Sequence, residues 1–199
     1  MAYSDFTLDS AIRAFALTLD QTIDLFAEVP ERPISDYLKA TLDENFPLAN
    51  DIHTEKARSE LIVVPILLEV RRAMGRKLGF FSGISFDVAP QQGLDGVCDF
   101  LLSRSPVQLI LGPPVLAVVE AKNDNIKGGL GQCVAEMVAA RMFNEREGQG
   151  PTVIFGAVTT GTLWRFLKLE GATIYVDRSD YFFDRLEKIL ACLVHCVGG

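Results

Sequence analysis

The segment that most constrains the fold of this chain runs over residues 115–122. Gly112-Pro113-Pro114 breaks the chain just before it, and residues 123–129 form a polar, glycine-ending stretch just after it. Val118-Val119 is apolar and runs into Glu120-Ala121-Lys122, so the segment reads as a strand with charge at its carboxyl end. Side chains alternate along a strand, which sends Glu120 and Lys122 to one face and Ala121 to the other. A second strand-like segment, residues 97–103, carries Asp99. If the two segments pair, Asp99 sits beside Glu120, giving two carboxylates and one ammonium at one end of a sheet. That grouping suits a hard divalent cation and a water to be activated.

The rest of the pattern is α/β. Apolar residues at helical spacing predict helices over residues 5–27, 34–42 and 54–74, with Ser35 and Thr54 as amino-terminal caps and Glu55 in the first turn of the third. Pro65 lies inside that third helix and is expected to kink it. Residues 80–88 and 97–103 read as a hairpin around residues 90–96. A helix is expected over 130–146, ended by Gly148, Gly150 and Pro151. Strands follow over 152–159 and 163–169, with a short one over 172–176, and a last helix covers 181–196.

At 199 residues and 49% hydrophobic, the chain can bury a core as a single domain, residues 1–199. Residues 1–50 read as an N-terminal helical elaboration and 51–199 as the core. The longest apolar run, residues 61–68, is too short to cross a bilayer, and Asp5 and Asp9 interrupt any signal-like start. The expectation is a soluble cytoplasmic protein with no membrane partner. The four cysteines contain no Cys-x-x-Cys pair and read as core residues, the Cys192-His195-Cys196 group included. Residues 1–60 hold twelve acids and five bases and so carry the whole net charge of −7, leaving residues 61–199 neutral. A neutral catalytic part can still bind DNA through a local basic surface, weakly and with marked salt dependence.

In residue order the chain resembles the PD-(D/E)XK, or restriction-endonuclease-like, nuclease superfamily over roughly residues 54–169. The resemblance rests on Glu60 in a helix, Asp99 on a hairpin, Glu120-Ala121-Lys122 on the third strand, and Gln132 and Glu136 on the helix after it. It implies a restriction-endonuclease-like core, a mixed central sheet of four to five strands flanked by helices. It also implies hydrolysis of DNA phosphodiesters with Mg2+, or Mn2+ in its place. Asp99 and Glu120 would ligate the metal, with the Ala121 carbonyl a third ligand and Glu60 an outer one. Lys122 would orient the water, and Gln132 would hold a phosphate, the nucleophile or Lys122. No proline precedes Asp99, where the family's motif has one. Cys98 stands there, and Asp95 is a rival four residues earlier, in a glycine-flanked turn.

Each signal has a plainer reading. Glu-x-Lys alone is often a solvated ion pair at a strand end. Gly128-Gly129-Leu130-Gly131 invites a phosphate-cradle reading, yet it lacks the third glycine of that motif and reads better as a flexible turn feeding a helix. Arg71, Arg72, Arg76 and Lys77 suit a helix C-terminus, Trp164 suits a core strand, and His53 and His195 support no hydrolytic triad. The alternative function is a nuclease-like fold that no longer cuts and serves as a binding or assembly module. In that reading Phe15, Leu19, Ile23 and Phe26 on or near one helix face offer a homodimer interface or a lid.

Overall fold

A computed structural model describes residues 1–149 and 153–198. Its helices are α1 (Leu8–Ala14), α2 (Asp36–Ile52), α3 (Glu55–Arg58), α4 (Val64–Ala73), α5 (Ile126–Arg146) and α6 (Leu186–Gly198). Its strands are β1 (Thr18–Asp20), β2 (Gly79–Ser85), β3 (Val97–Ser103), β4 (Val115–Ala121), β5 (Ile154–Thr159), β6 (Leu163–Glu170), β7 (Thr173–Val176) and β8 (Tyr181–Phe182). They form one mixed eight-stranded sheet in the order β1-β7-β6-β5-β4-β3-β2, with β8 beside β6. The expected four to five strands are therefore too few. β1 and β8 are three and two residues long, too short for alternation to show. Gly150, Pro151 and Thr152, expected at a helix end and a strand start, lie outside the described residues.

The β4–β5 pair is parallel, so the chain must cross over between them, and α5 makes that crossing. All seven residues of β4 are buried because helices cover both faces of the sheet. On one face α1 and α5 pack over Val118, Val158 and Leu167. On the other, α2, α4 and α6 pack over Val119, Ala157 and Phe166. Among the described residues no helix is long and apolar enough to cross a membrane.

The N-terminal segment departs from the helix predicted over 5–27. α1 ends at Ala14, Ala16 takes a left-handed φ of 50°, and β1 joins the sheet parallel to β7. The elaboration over residues 1–50 is thus a strand as well as helices. The apolar face drawn through Phe15, Leu19, Ile23 and Phe26 does not exist. Phe15 and Leu19 pack on the α5 side, Phe26 is fully buried on the other side, and Ile23 is 43% exposed.

Ser35 and Thr54 cap their helices as expected, accepting from the amides of Leu38 and Ala57. α2 runs on to Ile52, well past residue 42 and through Pro47. The helix predicted over 54–74 forms as α3 and α4 joined by a π turn, Ser59–Val63. Pro65 has no amide hydrogen to give the Leu61 carbonyl one turn back, and Asn45 of α2 donates its side-chain amide there at 3.0 Å. Asn45→Ala removes that donor from a half-buried carbonyl and is expected to cost about 1 kcal/mol in urea unfolding. No change would mean that water serves the carbonyl equally well.

α5 begins at Ile126, with Asn125 accepting from the Gly128 amide at 2.9 Å. The glycines at 128, 129 and 131 therefore belong to its first turns, which corrects the loop reading. Their role is close packing. A Cβ at Gly131 would lie 2.2 Å from the Phe6 carbonyl oxygen and 2.3 Å from the Thr7 carbonyl carbon. Both are backbone atoms of the segment leading into α1, so they cannot swing aside. Gly131→Ala is expected to lower stability by about 2–3 kcal/mol through overpacking, read as a lower melting temperature.

Candidate functional site

β3 and β4 run antiparallel with Phe100 opposite Val119, which places Asp99 beside the Glu120 end of β4. The Ala121 amide donates to Asp99 Oδ2 at 2.8 Å, fixing that carboxyl against β4. Glu120 turns toward α5 and is 1% exposed. Its Oε1 takes the Lys122 ammonium at 2.5 Å, while its Oε2 is buried and accepts no hydrogen bond among the described residues. Lys122 Nζ also donates to Gln132 Oε1 at 3.1 Å, and Gln132 Nε2 donates to Glu136 Oε1 at 3.0 Å. Glu120, Lys122, Gln132 and Glu136 thus form one continuous chain of contacts. Gly129 makes room for it, since a Cβ there would lie 3.1 Å from Lys122 Cγ.

The electrostatics follow from burial. Desolvation, then the neighbouring Asp99 charge, pushes Glu120 up to about 8. Burial also raises Asp99, partly offset by the Ala121 amide and the Lys122 charge. Glu136 is fully buried and lies well above the usual carboxylate range, first from desolvation and then from Glu120. Burial works against the Lys122 charge, but the Glu120 carboxylate outweighs it and holds the ammonium protonated.

Two helix carboxylates, the expected Glu60 and also Glu55, border this centre. Glu60 is exposed and paired to Lys56 at 2.8 Å. Glu55, one residue after the Thr54 cap, acts electrostatically on Asp99, Glu120 and Lys122, and accepts from the Asn123 amide at 3.0 Å. Its position in a helix first turn was the available signal, and dipole compensation accounted for it too readily. Glu55, Glu60, Asp99 and Ala121 line an open groove of about 250 Å³ between α3 and the end of the sheet. Behind it, buried Arg58 donates to the Asn123 carbonyl at 3.1 Å and bonds the His53 ring at 3.0 Å, tying the turn after β4 to α3.

The remaining candidates are structural. Asp95 belongs to the turn before β3, where its carbonyl accepts from the Tyr3 amide. Trp164 is fully buried, its indole donating to the Gly161 carbonyl at 3.3 Å. All four cysteines are free and buried.

Among the described residues no three or more His, Cys, Asp or Glu side chains converge as a ready metal site. Magnesium does not require that many, because it keeps several waters and takes one or two carboxylates together with substrate phosphate. Asp99 and Glu120, the latter with an Oε2 that accepts no hydrogen bond among the described residues, fit such a cation. Comparison with known proteins adds no family: no family model matches the chain, and no curated protein matches it.

Proposed function

We propose that this chain is a restriction-endonuclease-like, Mg2+-dependent nuclease that hydrolyses DNA phosphodiesters, with Mn2+ able to substitute. The observation that carries the reading is the pairing of Asp99 with a buried Glu120 whose Oε2 accepts no hydrogen bond among the described residues, beside the Lys122 ammonium. Asp99 and Glu120 would hold the cation, with the Ala121 carbonyl as a further oxygen at the groove. When bound, the metal supplies Lewis acidity and lowers the pKa of a water to be used as nucleophile. Lys122 places a fixed positive charge where charge develops on the scissile phosphate. Gln132 holds the Lys122 ammonium in place, and Glu136 orients Gln132. Glu55 stands nearer the role first given to Glu60, adding negative charge at the groove wall.

The test is cleavage of plasmid and single-stranded DNA at low salt with Mg2+, with Mn2+ and with EDTA, alongside the melting temperature in each. Cutting with either metal, none in EDTA, and a metal-raised melting temperature are the expected results. No cutting and no metal shift would overturn the reading. One observation favours the second reading, a non-cutting binding module: Lys122 is held by both Glu120 and Gln132. That module would bind DNA in EDTA as well as in Mg2+, and would cut it in neither.

A further inference from the structure

On the other side of the α5 first turn lies a larger cleft of about 850 Å³, within the roughly 300–1,000 Å³ usual for small-molecule sites. Leu8 and Ile12 of α1, Leu19 of β1, Leu130 of α5 and Val176 of β7 give it an apolar floor. Its charged lining is resolved pair by pair. Asp9 is paired with Arg13 at 3.1 Å, and Arg165 is held by Asp180 through two bonds of 2.6 Å. Asp177 accepts from the Leu25 and Ser179 amides and the Tyr181 hydroxyl. No cation is paired with Asp177, and two lining cations have no ion-pair partner among the described residues: Lys127 on the first turn of α5 and Arg178 just beyond β7. Both side chains are exposed, and among the described residues neither makes a hydrogen bond or ion pair. Arg178 is nevertheless fixed at its backbone, where its amide donates to the Ile23 carbonyl at 3.0 Å.

Two unpaired cations against one carboxyl, over an apolar floor and in a chain of net charge −7, suit a ligand with an anionic end and an apolar body. We infer that this cleft binds a nucleoside phosphate, its phosphate on Lys127 and Arg178 and its base and sugar on the floor formed by Leu8, Ile12, Leu19, Leu130 and Val176. The class of ligand rests on the nuclease reading, while the place rests on the cleft. The unit is either a free nucleotide or part of a strand, and both carry the same chemistry. The α5 first turn separates the two sites. It carries Lys127 on the cleft side and packs Gly129 over Lys122 on the other. A strand bound in the cleft therefore lies one helical turn from the Glu120 centre.

The experiment measures binding of thymidine 5′-monophosphate and of an eight-residue oligothymidylate in EDTA at low salt, by calorimetry. It compares the wild-type chain with Lys127→Glu/Arg178→Glu, with the milder Lys127→Ala/Arg178→Ala, and with Lys77→Glu as an exposed cation elsewhere. Melting curves confirm that each is folded. The expected result is binding that falls at least tenfold in both double variants and is unchanged in Lys77→Glu. Mononucleotide binding identifies a free nucleotide as the ligand, and binding of the oligomer alone identifies a strand unit. No binding of either, or equal binding by wild type and both double variants, overturns the inference. The two readings fail separately. A chain that never cuts DNA yet binds through Lys127 and Arg178 loses the nuclease reading and keeps the cleft. One that cuts DNA with affinity indifferent to both residues loses the cleft alone.

Discussion

Lys122→Ala and Glu120→Ala are each expected to lower magnesium-dependent DNA cleavage by on the order of 10²–10³-fold, for different reasons. In the proposed mechanism Lys122 contributes charge on a half-buried, prepositioned ammonium, so its loss would persist at saturating Mg2+ and appear in kcat. Glu120 is the proposed metal oxygen, so its loss would first appear as a higher Mg2+ requirement. Glu55→Ala is expected to weaken the apparent metal affinity by about 10-fold, the scale for a group acting from outside the ligand set. Glu60→Ala is expected to change little, because its partner is the exposed Lys56. A titration of cleavage rate against Mg2+ for the four variants separates these effects. If Glu60→Ala fell and Glu55→Ala did not, the outer role would belong to Glu60 and not to Glu55.

Without metal, stability is expected to fall as pH rises from about 4.5 to beyond 8. Glu120 and Glu136 have folded pKa values above the ordinary 4.5, so the folded chain keeps protons that the unfolded chain releases. Such groups stabilise fully below the unfolded value, and the contribution is lost as pH climbs through the folded one. Asp99 adds in the same direction. Asp20 and Asp87 are lowered by hydrogen bonds from Thr22, and from Ser85 and the Gly96 amide, and act the other way only below the ordinary 3.8. The loss is expected to be on the order of 3 kcal/mol across the window, read from urea unfolding in EDTA. Glu136→Gln keeps the shape and removes the titration, so it is expected to be more stable than wild type at pH 8 and equal to it at pH 4. Mg2+ is expected to raise the melting temperature more at pH 8 than at pH 5, since it needs Glu120 ionised. A flat profile in EDTA would mean that these carboxyls are hydrated.

The centre was legible where local chemistry decides it. Alternation along residues 115–122 put Glu120 and Lys122 on one face, and pairing of that strand with residues 97–103 put Asp99 beside Glu120. Ser35 and Thr54 were readable because a cap acts within three residues. What stayed hidden depends on contacts distant in sequence. The π turn over Ser59–Val63 divides the helix expected over 54–74, and no local pattern in the sequence marks it. The glycines of α5 look like a loop until the Phe6–Thr7 backbone they admit is known. β1 is recognisable only through β7.

That last pairing bears on how the chain is made. Thr18 meets Thr173 across nearly the whole chain, and α1 seats on α5. During synthesis, Tyr3, Phe6, Ala11 and Leu17 leave the ribosome well before their partners on α5 and at the sheet edge. Loop closure over such a span is slow, and apolar surface stays uncovered in the meantime. This earlier segment is thus among the last to dock, and until then the unpaired edge of β7 is where newly made copies would stick to one another.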